Sequence, residues 1–188
     1  MFITIAEIID IVIMTIAVGF IFSKIFKKKK HYSDPIKYYM NQTSIWNDLK
    51  YGIMIAAPAV VFHELAHKIV AMSFGAQAVL HAPITLYAIA IILLLANFPI
   101  IFFIGGYVTV TGILTSSQLA MIAIAGPLVN LIIWAVIKLS LDKNWIKKNR
   151  YDLGLMAKLN LFLFAFNMIP IPGFDGFNFF RNLIRMFF

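Results

Sequence analysis

Five residues, His63-Glu64-Leu65-Ala66-His67, carry the chemistry this sequence can support. Residues four apart on a helix lie one above the other on the same face, so His63 and His67 can offer two imidazoles to one metal ion. Glu64 sits beside them, placed to take a proton from a water that the metal activates. Residues 51–71 around this motif are apolar enough to cross a bilayer. Ionisable side chains at that depth cost several kcal/mol on most scales and by default mark function. The alternative is a polar cluster that only holds helices together.

Two histidines do not complete a catalytic metal site, where three protein ligands and a water are usual. Cysteine is absent, which excludes disulfides and thiolate sites and leaves His, Asp and Glu as donors. Asp34, Asp48, Asp142 and Asp152 lie in polar loops and read as solvated. Asp175 follows a Pro-x-Pro break at the end of an apolar helix, where a carboxylate can reach back into a bundle. Alone, Asp175-Gly176 is a plain turn. Beside a histidine pair that lacks a ligand, it becomes the candidate third donor.

The elements that must position these groups are membrane helices. The chain has 188 residues, of which 62% are hydrophobic and 13% charged. Its mean hydropathy is +0.89. Ordinary soluble domains are far less apolar. The composition predicts a multi-pass integral protein of the cell membrane, with the lipid bilayer as its surroundings. The net charge of +8 would suit a nucleic-acid partner, but the basic residues cluster at helix ends, where lipid head groups meet them. No nucleic acid is expected.

The first apolar segment, residues 2–26, lacks a basic start and a small-residue cleavage site, and reads as an anchor rather than a removable signal. Glu7 and Asp10 near its start are expected to be acidic groups at a helix N-terminus by the membrane surface. Lys24 and Lys27 to Lys30 form a basic stop. An interfacial linker with Tyr38, Tyr39 and Trp46 follows. The expected division is an anchor over 1–31, a linker over 32–50 and a membrane core over 51–188. Within the core, spans are expected over 52–74, 119–141 and 153–169, with Pro58 kinking the first. Residues 83–104 are long enough to span once, yet Asn97-Phe98-Pro99 interrupts them, as a re-entrant hairpin would require. Gly105 to Gly112 holds β-branched residues between glycines and reads as a short strand or hairpin. The expected fold class is therefore an all-α polytopic membrane protein. It is a bundle of about four to five transmembrane helices with a segment that spans or re-enters, and a short membrane-associated β-hairpin.

Three separated motifs now stand in one order: His63-Glu64-Leu65-Ala66-His67, then Gly126-Pro127-Leu128-Val129-Asn130, then the stretch from Asn167 to Gly176 with Pro170, Pro172 and Asp175. In this the chain resembles the site-2 protease family of intramembrane zinc metalloproteases, and an archaeal member in particular. The second motif is similar to the family's Gly-Pro-x-x-Asn and the third to its Asn-x-x-Pro-x-Pro-x-x-Asp-Gly. Gly105-Gly106-Tyr107-Val108 is similar to its strand-forming segment. The resemblance implies Zn2+ as cofactor, held by His63, His67 and Asp175, with Glu64 as general base. It implies that Asn167 donates a hydrogen bond to the substrate carbonyl or the developing oxyanion. Gly106, Tyr107, Val108 and Asn130 are then candidates for substrate binding. For Asn130 an interhelical hydrogen bond is the equal alternative.

The substrate implied is a transmembrane segment of another protein, unwound so that the metal reaches a carbonyl and held by edge pairing with residues 107–111. Rival readings of the same residues are a non-proteolytic metal or proton carrier and an inactive scaffold that binds transmembrane partners. Sidedness is left open: the resemblance implies a site opening to the cytosol, whereas the positive-inside rule puts both basic loops there. The sequence leaves the oligomeric state unknown.

Overall fold

A computed structural model describes residues 2–26, 44–98 and 105–188. In chain order the elements are α1 (Ile5–Ile25), α2 (Ile45–Ser73), β1 (Gln77–His81), α3 (Ile84–Leu95), β2 (Tyr107–Thr111), α4 (Ser116–Asp142), α5 (Arg150–Asn167) and α6 (Asp175–Ile184). Helices and one small two-stranded antiparallel sheet make up the fold, as the sequence predicts. Among the described residues α1, α2 and α4 are long and apolar enough to cross a membrane; α3 is a shorter apolar helix. The basic stop at Lys27 to Lys30, Asp34, Tyr38 and Tyr39 lie outside the described residues.

Local signals fix the helix ends. Thr4 and Glu7 form a capping box at the start of α1, and Thr115 and Gln118 form one at the start of α4. α2 runs unbroken through Pro58 and starts seven residues before the expected span, at Ile45. Gly75, at φ +80, turns the chain from α2 into β1.

The long helices alternate in direction. α1 and α2 lie against each other backbone to backbone: a Cβ at Gly52 would strike the Gly19 carbonyl oxygen, so the glycines set the spacing. Near the other end of this pair Lys68 of α2 meets Glu7 of α1. Tyr51, early in α2, donates a hydrogen bond to Asp152, early in α5 (2.7 Å). The loop at 143–149, between α4 and α5, therefore lies at the end of the bundle remote from His63 and His67. Met14, Val18, Ile55, Val60, Leu80 and Leu163 form the buried centre.

The segment over 83–104 leaves the sheet after His81 and returns at Tyr107, and these two residues pair with each other. Its two flanks, His81 and Tyr107, therefore lie at the same end of the bundle. The strand partner of β2 is β1, on the far side of α3. The sheet is thus built from two segments 25 residues apart in the chain rather than from a tight hairpin.

Glu7 stands in the first turn of α1, the helix N-terminus expected for it, and is buried there against Lys68. Its side chain and that of Lys68 are each 2% exposed and ion-paired. Glu7 also accepts from Leu80 N–H (2.9 Å), and Lys68 donates to the Ala78 carbonyl (2.7 Å). A buried charge is tolerated only with such partners.

Candidate metal centre

His63 and His67 lie on the buried face of α2, 6% exposed each. The His67 Nδ1 is 2.7 Å from the Ile122 carbonyl of α4. A carbonyl only accepts, so Nδ1 carries a proton, and in the neutral ring the lone pair is then on Nε2. Asp175 arrives by a different route. Pro170 and Pro172 end α5, Gly173 turns at φ +101, and Phe174 packs edge-on against Phe166 (4.8 Å). Asp175 is then the first residue of α6, where the helix dipole favours a carboxylate. Gly176 allows this approach, since a Cβ there would overlap the Met168 backbone.

The Asp175 Oδ2 stands 2.9 Å from His63 Nε2 and 3.3 Å from His67 Nε2. The two Nε2 atoms are 3.1 Å apart. A tetrahedral zinc site with bonds of about 2.05 Å has ligand–ligand edges of about 3.3 Å, so this triangle fits the ion. Three electron-rich atoms at this spacing need a shared cation or proton between them. Among the described residues His63, His67 and Asp175 are the group that could hold a metal. Gly126 of α4 faces the same point: a Cβ there would collide with both Nε2 atoms. The absent side chain leaves the space that an ion requires.

Glu64 is 4% exposed and beside the triangle. Its Oε1 lies 3.0 Å from where a Cβ on Gly105 would be, and its Cγ 3.0 Å from one on Gly106. Bare glycine backbone thus leads into β2 directly over the carboxylate. A cavity of about 530 Å3 joins these parts, lined by His63, Glu64, His67, Asn167, Asp175 and the β2 residues Tyr107, Val108 and Val110. Gly106 lines it too. Asn130 does not: it is fully buried in α4, and neither amide atom has a hydrogen-bond partner among the described residues. The structure thus gathers every expected site residue except Asn130. Asn178, Arg181 and Asn182 of α6 also line the cavity and were not foreseen. They lie three, six and seven residues after Asp175, a helical spacing that puts them on its face and is the signal the sequence carries.

Among the described residues no strand pairs with the second edge of β2, which lines the cavity. In an antiparallel ladder each residue turns both backbone groups either towards its partner or away. Leu80 N–H and the Ala78 carbonyl point outward, to Glu7 and Lys68. Their register partners are Val108 and Val110, whose N–H and C=O groups therefore leave β2 on its other edge.

Similarity to a curated protein agrees with this site. The chain is 33% identical over 172 residues to "Putative zinc metalloprotease MJ0611" of Methanocaldococcus jannaschii, covering 90% of this chain and 81% of the relative. The chain belongs to this family of zinc metalloproteases. The motif-based resemblance to site-2 proteases, with an archaeal member in view, is consistent with that membership. No family model and no solved structure matches the chain.

Proposed function

We propose that the chain is an intramembrane zinc endopeptidase of the site-2 protease type, a multi-pass protein that cleaves transmembrane segments of other proteins in the cell membrane. The observation that carries this reading is the triangle of His63 Nε2, His67 Nε2 and Asp175 Oδ2 with Glu64 beside it, in helices apolar enough for a bilayer.

Zinc held by these three residues would supply a Lewis acid and a water with its pKa lowered towards about 7. Glu64 takes the proton of the attacking water and delivers it to the leaving amine. Burial keeps bulk water from competing for that proton. Asn167, on the cavity wall, donates its amide N–H to the carbonyl oxygen as charge develops, an effect worth about 3 to 4 kcal/mol in other hydrolases. An unwound substrate segment joins the open edge of β2 through Val108 and Val110, which presents its carbonyls to the site.

Zinc per purified chain and cleavage of a transmembrane reporter test the reading together. Wild type holds about one zinc per chain, and Asp175→Ala loses most of it. Glu64→Gln keeps zinc and loses cleavage. Equal zinc with and without Asp175 would overturn the ligand set. Intact cleavage by Glu64→Gln would overturn the mechanism. Proline at Val108 or Val110 removes an outward N–H without touching the bonds to β1. Unchanged cleavage by both proline variants would remove the strand from the mechanism.

A further inference from the structure

A two-stranded sheet has two edges, and either can recruit an extended chain. Here they are treated differently. The outer edge of β1 is occupied by side chains: Glu7 Oε1 accepts Leu80 N–H at 2.9 Å, and Lys68 Nζ donates to the Ala78 carbonyl at 2.7 Å. Glu7 and Lys68 are ion-paired to each other and almost fully buried. The second carboxylate oxygen of Glu7 is held by Thr4 N–H (2.9 Å) and the Thr4 hydroxyl (3.1 Å). The pair thus presents one acceptor and one donor at the two sites where a third strand would place them. Among the described residues no strand pairs with the edge of β2.

We infer that Glu7 and Lys68 are positioning residues that stand in for a third strand on β1. They close that edge, hold β2 in register over Glu64, and leave Val108 and Val110 as the edge that an extended substrate joins. This rests on the reading that the substrate pairs with β2. It makes α1 part of the substrate-positioning apparatus through Glu7, and through Met14, whose sulfur would lie 3.0 Å from a Cβ on Gly106.

A purely structural tie between α1 and α2 would need only opposite charges. An edge cap needs the acceptor at residue 7 and the donor at residue 68. Two double variants of the full chain in detergent separate these roles. Glu7→Gln with Lys68→Gln keeps an acceptor and a donor but no charge. Glu7→Lys with Lys68→Glu keeps the ion pair and reverses the bonding. The readouts are zinc per chain, hydrogen exchange of the peptide over 76–82, and KM, kcat and cleavage positions. The probe is a synthetic peptide with one leucine-rich transmembrane segment broken by Asn-Pro.

The Gln pair is expected to match wild type in exchange and KM. The swapped pair is expected to hold zinc and keep kcat. Its exchange over 76–82 rises about tenfold, the loss of about one net hydrogen bond, and its KM rises with cleavage spreading to positions about two residues away, the strand period. A swapped pair that matches wild type in exchange, KM and cleavage position would overturn the proposal. So would faster exchange with unchanged KM and unchanged position. If the swapped pair fails to fold, Glu7→Leu with Lys68→Met removes both bonds and both charges and is judged by the same outcomes. If wild type cleaves no reporter, the protease reading has failed. Exchange of the swapped pair then decides alone whether the two residues close the edge.

Discussion

Gly126→Ala is the sharpest single test of the metal centre, because it adds one carbon and no charge. A Cβ at residue 126 would lie 2.6 Å from His63 Nε2 and 2.7 Å from His63 Cδ2, and would collide with His67 Nε2 as well. Ordinary contacts begin near about 3.5 Å, so the imidazoles must retreat by about 0.8 Å or more. Metal–ligand distances tolerate about 0.2 Å. The methyl also fills the space that an ion bonded to both nitrogens at about 2.0 to 2.1 Å requires. Stability should change little by comparison: overpacking costs about 1 to 3 kcal/mol, and alanine in place of a mid-helix glycine returns about 1 kcal/mol. The expected result is a folded protein without zinc, read by elemental analysis of purified chain beside its thermal unfolding curve. A folded Gly126→Ala protein with zinc at the wild-type ratio would refute the argument that this glycine makes room for the ion.

Four further outcomes follow from the same geometry. Lys68→Met alone strands the buried Glu7 carboxylate and should cost about 3 to 5 kcal/mol, measured by denaturation in mixed micelles; Glu7→Leu with Lys68→Met should recover most of the loss. Gly52→Ala places a methyl on the Gly19 carbonyl and should loosen α1 from α2 by about 1 to 3 kcal/mol, with zinc retained. Tyr51→Phe removes the bond to Asp152 at the remote end, and should lower stability by about 1 to 2 kcal/mol while leaving zinc content and cleavage unchanged. Stripping the metal with a chelator should lower the unfolding temperature and expose the segment over 168–176 to added protease.

Much of the metal centre was legible from sequence because its parts obey local rules. The His-x-x-x-His spacing fixes one face of one helix. The prolines at 170 and 172 announce the break that brings Asp175 round. The role of Gly126 was legible only as part of a motif; its reason, two imidazoles on the facing helix, exists only in three dimensions. The partners of Glu7 were illegible for the same cause. The pattern Thr4-x-x-Glu7 correctly signals a helix start, but nothing near it points to Lys68, which lies 61 residues on. β1 passed unnoticed as five residues between Gly75 and Pro83, although that punctuation and the buried alternation of Ala78 and Leu80 are strand signals. Asn130, drawn in by its motif, stands away from the cavity. Position in a motif does not fix the direction of a side chain.

The third metal donor enters the chain 112 residues after the first. During synthesis, α2 with both histidines is made before Asp175 has been translated. The two imidazoles and Glu64 then lack the carboxylate that completes the set, so a half-made chain cannot hold the ion as the finished one does. Competence arrives in one late step, when the turn after α5 brings α6 against α4. A nascent chain thus lacks the complete donor set until its own bundle has closed.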